Sequence, residues 1–295
     1  MNNPRKTRQP RALRRPTWLP FAIIGGIVML VVAGVLLIVN PGSATRVITK
    51  MQTRDFHALL FSGADMNIAF FGHHGGLMIS KDQGDTWQPT SLQGADAMSL
   101  GSPTTRPLRM YAAGHGVLFR SDDAGKTWMA VGGQSQGADI HAFTVSPTDS
   151  NRVYAFIAGQ GLVTSSDSGE TWQKLPQPPG AVTALAAQDK QMIYAGTARN
   201  GVLQSDNGGQ NWQPSGNGLA SVQVTGLAIS FDGVLFASTS SGLYRRAGSA
   251  VWEPLPLKKA LLAVTVSPHN SQLLLALSDQ GEIFRSRDGG QTWGG

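Results

Sequence analysis

An eight-residue motif that recurs about every 40 residues constrains this chain more than any other feature. The motif reads Ser-x-Asp-x-Gly-x-Thr-Trp, and complete copies end at Trp87, Trp128, Trp172 and Trp293. A fifth copy ends at Trp212 with Asn207 in place of the Asp, and a sixth keeps little more than Trp252. The tryptophans follow one another at intervals of 40 to 44 residues, and such a period is typical of propellers and solenoids.

The residue types of the motif indicate a hairpin turn. A short Asp side chain can cap backbone N–H groups, and the Gly two residues later can adopt positive φ. The Ser and Thr hydroxyls can bond across the turn, while the Trp begins the next strand and covers the hairpin. The residues predicted to hold these turns are Asp82, Asp123, Asp167, Asn207 and Asp288.

These octets resemble the Asp-box, or BNR, repeat of sialidases, sortilin-type receptors and photosystem II assembly-factor propellers. The resemblance covers about residues 46–295 and implies a β-propeller. In those families the motif lies at the blade periphery, away from the active face. The resemblance therefore implies a fold and says little about chemistry, since this fold carries receptors, assembly factors and hydrolases alike.

Short alternating runs between the octets predict antiparallel strands, and six tryptophan registers predict six blades. The chain ends two residues after Trp293, so the sixth blade lacks its own outer strand. The strand-like run 46–51 (RVITKM) precedes the first inner strand, and we predict that it closes the ring by pairing with the sixth blade. The predicted fold class is all-β, a six-bladed propeller preceded by one transmembrane helix.

The amino-terminal segment predicts that membrane helix. Six Lys and Arg residues and no acidic residue lie before position 16, and residues 21–39 carry no charge. As a helix this run spans roughly 28 Å, close to the hydrocarbon thickness of a bilayer. The positive-inside rule places the basic end in the cytoplasm. The predicted order is a basic cytoplasmic tail (1–16), a transmembrane signal anchor (17–39), a linker (40–45) and an extracytoplasmic propeller (46–295).

A cleaved signal peptide is the alternative interpretation of the same segment. Gly42, Ser43 and Ala44 form an acceptable small-residue cleavage site. The apolar run is longer than the usual core of a signal peptide, about 7–15 residues, and this favours an uncleaved anchor. We expect a single-pass protein of a bacterial plasma membrane, with the membrane as one partner through the amino-terminal helix.

The charge and the cysteine content exclude two classes of function. The net charge is +6, but removing the six basic residues before position 16 leaves 24 − 6 = 18 basic against 18 acidic residues. The remainder is neutral, so a nucleic-acid partner is not expected. The chain has no cysteine, which excludes disulfides and thiolate metal sites.

Five of the six histidines fall on one predicted face of the ring. In an antiparallel blade, the start of the inner strand shares a face with the loop between the second and third strands. The candidate carboxylates at inner-strand starts are Asp55, Asp96 and Asp139, and the candidate ligand-binding histidines are His57, His73, His74, His115 and His141. His269 is predicted on the opposite face.

Imidazoles beside carboxylates can bind a divalent metal or an anionic ligand, or can move protons. The alternative is ordinary loop chemistry, in which polar residues begin strands and histidine is tolerated beside glycine. No conventional metal-binding spacing is present, so no cofactor is predicted, and a divalent metal at this rim is a hypothesis.

Two functions remain open on this sequence. We expect a binding scaffold for an extracytoplasmic protein, a glycan or a small ligand. The alternative is a glycoside hydrolase that uses Asp55, Asp96 or Asp139, because paired carboxylates perform that reaction. A sialidase in the strict sense is not expected, since no Tyr–Glu pair can be placed on the channel wall. Packing explains the tyrosines in the second-strand register, which are Tyr111, Tyr154 and Tyr194.

Overall fold

A computed structural model describes residues 45–248 and 251–294 of the chain, and these form six four-stranded antiparallel sheets. Blade 1 contains β2 (Ala58–Phe61), β3 (Ala69–His73), β4 (Gly76–Ser80) and β5 (Gln88–Gln93). Blade 2 contains β6 (Ser99–Gly101), β7 (Met110–Gly114), β8 (Val117–Ser121) and β9 (Met129–Ala130). Blade 3 contains β10 (Ile140–Val145), β11 (Val153–Ile157), β12 (Gly161–Ser165) and β13 (Gln173–Lys174).

The remaining blades repeat this plan. Blade 4 contains β14 (Val182–Ala187), β15 (Ile193–Thr197), β16 (Val202–Ser205) and β17 (Gln213–Pro214). Blade 5 contains β18 (Val224–Ile229), β19 (Leu235–Thr239), β20 (Gly242–Arg246) and β21 (Glu253–Pro254). Blade 6 contains β22 (Leu261–Ser267), β23 (Asn270–Ser278) and β24 (Glu282–Ser286), with β1 (Thr49–Lys50) as its outer strand. The all-β six-bladed propeller predicted from the sequence is confirmed.

The ring closes where the first strand joins the last blade. Strand β1 pairs antiparallel with β24. Backbone bonds extend the pairing on both sides, since Arg46 N donates to Trp293 O at 3.0 Å and Met51 N donates to Gly281 O at 2.8 Å. The predicted closure by residues 46–51 is confirmed, and it leaves blade 6 with four strands like the others.

Each complete octet forms the hairpin turn that its residue types predict. In blade 3, Asp167 accepts hydrogen bonds from the hydroxyl of Ser165 at 2.6 Å and from the N–H and hydroxyl of Thr171 at 2.9 and 2.6 Å. The Ser165 hydroxyl accepts in turn from Gly169 N at 2.9 Å. These bonds lower the pKa of Asp167 to about 2, with the bond from Ser165 as the largest cause.

The glycine of the octet has two roles, one in its own turn and one at the blade interface. Gly169 has φ of 98°, and a Cβ built on it would lie 2.6 Å from Leu118 of blade 2. The glycine of the sixth octet, Gly290, has φ of 91° and would meet Leu255 of blade 5 at 2.7 Å. A Cβ at these distances would displace the leucine side chain, so the turn of one blade packs directly on the blade before it.

The six tryptophans are not equally buried. Trp252 and Trp293 are each 2% exposed, whereas Trp87, Trp128, Trp172 and Trp212 are half-buried. Trp293 donates its indole N–H to Gly290 O at 3.0 Å and belongs to the apolar core between blades 5 and 6. Trp87 and Trp128 also bond to the glycine carbonyl of their own octet, whereas Trp252 donates to Ser215 O. The tryptophan is a fully buried core residue only in blades 5 and 6.

Backbone bonds fix which loops share a face. The Asp-box turn meets the loop between the first and second strands of its own blade, as in the bond from Ser168 N to Asn151 O at 2.9 Å. Blades 1, 4 and 6 repeat this contact with Asn67, Gln191 and Gln272. The inner-strand starts and the loops between second and third strands therefore lie on the opposite face, as the sequence analysis assumed.

The predicted membrane anchor (17–39) lies outside the described residues. Within residues 45–248 and 251–294, no helix has the length and apolar character needed to cross a bilayer. The anchor and the cytoplasmic tail therefore remain predictions from the sequence.

Acid titration should separate two contributions of an Asp-box carboxylate to stability, that of its negative charge and that of the hydrogen bonds it accepts. The pKa of Asp167 is about 2 in the folded chain against about 3.9 in an unfolded one. Its contribution to stability is therefore complete above pH 4 and is lost as the pH falls from 4 towards 2. We expect Asp167→Asn to lose less stability over that interval than the unchanged chain, measured by urea unfolding at each pH.

The natural Asn207 provides the matched comparison, because its Oδ1 already accepts from Ser205 and from Asn211 N at 2.9 Å each. Asp167→Ala removes the acceptor altogether and should cost about 1 kcal/mol at pH 7. An Asp167→Asn chain that loses as much stability in acid as the unchanged chain would contradict this assignment of the charge.

Candidate functional site

Seven of the eight candidate residues of the rim meet in one continuous band across blades 1, 2 and 3. We call this band the His–Asp strip, and its members are Asp55, His57, His74, Asp96, His115, Asp139 and His141. The strip contains three overlapping groups, each made of one carboxylate and two imidazoles. Within each group the ligand atoms lie within 4.8 Å of one another. Carboxylates and imidazoles that are far apart in sequence therefore share one surface.

The backbone positions two of the carboxylates, Asp55 and Asp96, against the loop histidine of their own blade. Asp55 precedes β2, and its Oδ1 accepts from His74 N at 2.8 Å. Asp96 precedes β6, and its Oδ2 accepts from His115 N at 3.3 Å. The same carboxylates face the Nδ1 atoms of these two rings, at 3.1 Å for His74, with a shorter contact for His115. Each carboxylate thus orients one imidazole.

The Nε2 atoms of these two rings face the neighbouring groups of the strip. The Nε2 atoms of His57 and His74 lie 3.2 Å apart, and His74 Nε2 lies 3.7 Å from Asp96 Oδ2. His115 Nε2 lies 3.4 Å from Asp139 Oδ1 in blade 3. These contacts cross from blade 1 to blade 2 and from blade 2 to blade 3.

The imidazole rings form a ladder along the strip. The centroids of His57 and His74 are 4.4 Å apart, and those of His74 and His115 are 5.8 Å apart in a stacked arrangement. His141 completes the ladder with its centroid 5.5 Å from that of His115 and its Nε2 3.1 Å from Asp139 Oδ1.

A β-bulge aims His141 at the strip. The register of β10 on β11 shifts between Ile140 and Ala142, so His141 is the extra residue, and a bulge redirects the side chain that it carries. Blades 4 and 5 have the same bulge at Thr183 and Thr225. There the hydroxyls donate to Val224 O and Leu261 O at 2.6 and 2.7 Å. In blades 4 and 5 this bulge position therefore links neighbouring blades, and in blade 3 it faces the strip.

His73 is the candidate that the structure separates from the strip. Its ring stacks on Phe71 with centroids 5.6 Å apart, and its Nδ1 accepts from Gly75 N at 3.0 Å. Burial lowers the pKa of His73 below its ordinary value. Adjacent residues at the end of a strand point in opposite directions, so only one of His73 and His74 can face the strip. The sequence does not indicate which one.

At the blade 1 end of the strip, the surroundings favour an ionised Asp55 and a neutral His57. Partial burial raises the pKa of Asp55, but the bond from His74 N–H and the two nearby imidazoles lower it more, so the net shift is downward. Burial and the neighbouring His74 lower the pKa of His57. Asp96 is the least exposed carboxylate, at 12% of its side chain, and its Oδ1 has no hydrogen-bond partner among the described residues.

The order of groups along the strip bears on the two functions left open by the sequence. Carboxylates alternate with imidazoles on adjacent blades, and Asp55 and Asp96 also cap backbone N–H groups. A glycosidase needs two carboxyl groups that flank a sugar, about 5–10 Å apart. All three carboxylates also contact histidines, and the engagement of two of them in backbone caps is the arrangement expected of a scaffold.

A cavity of about 600 Å³ opens on the opposite face, where the sequence placed His269. The ends of all six inner strands line it, together with Pro103, Pro147 and Phe231. Phe231 is 67% exposed. The sequence does not indicate this cavity, because its lining comes from the ends of strands that only ring closure brings together.

The tyrosines assigned to packing lie at blade interfaces. Tyr111 donates its hydroxyl to Ser150 O at 3.0 Å, and Tyr154 donates to Lys190 O at 2.6 Å. Each bond joins a second strand to the loop of the next blade. Burial raises the pKa of Tyr154 and Tyr194, in keeping with the packing role that the sequence predicts for them.

Comparison with known proteins gives this architecture a family context. The Sortilin-Vps10 family model, described as sortilin, neurotensin receptor 3, matches residues 116–241. That segment contains three of the Asp-box turns described above. The chain fits the BNR/Asp-box propeller superfamily.

Individual relatives of this Asp-box propeller are similar over parts of their length. A vacuolar protein sorting/targeting protein 10 of Mycosarcoma maydis is 41% identical over 68 residues, 22% of this chain and 4% of that protein. The GH74 xyloglucanase of Xanthomonas campestris superposes with a TM-score of 0.61 at 18% identity, over 84% of this chain and 46% of that one. YCF48 bound to D1 peptide superposes with a TM-score of 0.52 at 17% identity, over 83% of each chain.

These comparisons concern the fold. The Asp-box propeller spans less than half of the xyloglucanase and a small fraction of the sorting protein, so neither match carries a whole protein's activity to it. YCF48 is similar over most of both chains, and its low identity likewise restricts the likeness to architecture.

Proposed function

We propose that this Asp-box propeller is a membrane-tethered, extracytoplasmic binding module whose His–Asp strip contacts a protein partner. The observation that carries the proposal is the strip itself, which brings seven hydrogen-bonding side chains from three blades onto one open face. The side chains of His74, His115 and His141 are 45–48% exposed. Their outer surfaces are therefore accessible while carboxylates hold the rings in place.

Preorganisation makes the strip suited to binding. A side chain that is fixed before association loses less conformational freedom on binding than a mobile one does. The carboxylates of Asp55 and Asp96 fix the rings of His74 and His115 from behind. The ladder of rings also offers flat apolar faces together with polar edges, a combination that protein interfaces favour.

A protein is the partner that the relatives support best. Sortilin is described as a neurotensin receptor, and YCF48 was solved with a D1 peptide. These are properties of those proteins, and they favour a peptide or protein over a glycan for a propeller of this size.

The membrane tether in this proposal comes from the sequence. Residues 21–39 are uncharged and long enough for one span, and the basic residues before them favour a cytoplasmic amino terminus. The propeller would then work on the outer side of the plasma membrane.

Fractionation tests the tether. We expect the full chain to stay in the membrane pellet after alkaline carbonate extraction, because one apolar span holds it there. A chain of residues 45–295 made without a leader should be in the supernatant. External protease should digest the propeller of the full chain in spheroplasts. A mature protein that begins after Ala44 would establish the cleaved signal peptide instead.

Site-directed photocrosslinking tests the binding face. A benzophenone amino acid replaces Gln160, which is exposed in the loop after β11 beside the strip, where Ala158 N donates to Asp139 O. The same group replaces Phe231 on the opposite face as the matched control. In native membranes, we expect one discrete adduct from position 160 that the additional change His115→Ala reduces at least fivefold.

Other results of this experiment would refute the strip as the binding surface. A discrete adduct from position 231 alone would assign binding to the cavity face. An adduct from position 160 that is unaffected by His115→Ala and by His141→Ala would show that the partner touches the loop but not the strip. The melting temperature of each variant checks that the blade has folded.

Glycoside hydrolysis is the second candidate, supported by the similarity to a xyloglucanase fold and by the carboxylates of the strip. If the propeller is a hydrolase, it should release reducing ends from xyloglucan, and Asp96→Asn should abolish the release. Asp279→Asn is the control, because Asp279 is an exposed carboxylate in the corresponding loop of blade 6. We expect no release from any of the three chains.

A further inference from the structure

We propose that the blade 1 end of the His–Asp strip binds one divalent transition-metal ion, of the chemical class of Zn²⁺, through the Nε2 atoms of His57 and His74, with Asp55 as the carboxylate that orients His74. These residues form one of the three groups whose ligand atoms lie within 4.8 Å of one another. The inference is independent of the proposed partner, because it concerns the affinity of the chain itself for an ion.

The distance between the two imidazole nitrogens is the first observation. The Nε2 atoms of His57 and His74 are 3.2 Å apart. Two nitrogens at about 2.05 Å from a tetrahedral zinc ion are separated by about 3.3 Å. The two rings already stand at the spacing of one edge of a tetrahedral coordination sphere.

The tautomer of His74 supports the same arrangement. Asp55 Oδ2 lies 3.1 Å from His74 Nδ1 and can accept the proton of that nitrogen, which leaves a lone pair on Nε2. A carboxylate that accepts the second N–H of an imidazole is the usual partner of a metal-binding histidine. The lone pair of Nε2 then points to the same region as Nε2 of His57.

Carboxylate oxygens lie close to both imidazole nitrogens. Asp55 Oδ1 is 3.7 Å from His57 Nε2, and Asp96 Oδ2 is 3.7 Å from His74 Nε2. Asp96 has a buried Oδ1 without a hydrogen-bond partner among the described residues, and Asp139 has another at the blade 3 end. Carboxylates in this state attract a cation, and Asp96 is the one that lies next to His74.

The ligand set selects the kind of ion. Imidazole nitrogens with carboxylate oxygens favour zinc, copper and nickel, whereas magnesium and calcium prefer sites made of oxygen alone. With the two imidazoles as ligands, the remaining positions are left for Asp96 or for water.

The test is isothermal titration of the full chain, purified in detergent with a tag that contains no histidine. We expect Zn²⁺ to bind and Mg²⁺ not to bind at the same concentration. His57→Ala and His74→Ala should each weaken Zn²⁺ binding at least tenfold. His73→Ala is the matched control, because His73 lies next to His74 in sequence but outside the strip. His269→Ala controls for the opposite face.

Cobalt provides a second readout that a purely structural role would not produce. Co²⁺ bound by two imidazoles and carboxylates in tetrahedral geometry should give visible absorption, which His57→Gln should abolish. His57→Gln keeps a polar side chain at the position if His57→Ala fails to fold.

Two results would overturn the proposal. The first is a chain that binds no Zn²⁺ at micromolar concentration. The second is binding that survives His57→Ala and is lost in His141→Ala, which would move the ion to the blade 3 end. His141→Ala is expected to leave the blade 1 site intact.

Discussion

The pairing of β1 with β24 is the interaction on which the rest of the propeller depends. Two residues of β1 and the backbone bonds on either side of them join the start of the propeller to its final blade. Arg285 of β24 reinforces the same seam, because its Nη1 donates to Gln83 O at 3.2 Å and to Asp85 Oδ2 at 3.0 Å in blade 1. Closure protects both edges of the ring and fixes blade 1 next to blade 6.

The His–Asp strip is a product of blade-to-blade geometry. Its contacts run from one blade to the next, as between His74 and Asp96 or between His115 and Asp139. The octet glycines set this spacing at the periphery, since Gly169 packs directly on Leu118 of the preceding blade. A partner-binding face and a metal site in blade 1 are therefore compatible uses of one rigid surface.

The two halves of the ring have diverged at one equivalent position. His141 faces the strip, whereas Thr183 and Thr225 occupy the same bulge and bond to the inner strand of the next blade. At this bulge position, blade 3 has an exposed imidazole where blades 4 and 5 have a hydroxyl that bonds to the next blade. The opposite face of the ring carries the cavity, and Phe231 is one of the residues that line it.

The sequence by itself determined the number of blades, the Asp-box turns, the closing strand and the face on which most histidines lie. Each of these follows from local chemistry repeated at a fixed period, such as the Asp167 cap or the alternation along β14. Only the tertiary structure decided that His74 belongs to the strip and His73 does not, that two tryptophans are fully buried, and that a cavity lies beside His269. These depend on distances between blades, which are set by packing across the ring and have no counterpart in the spacing of residues along the chain.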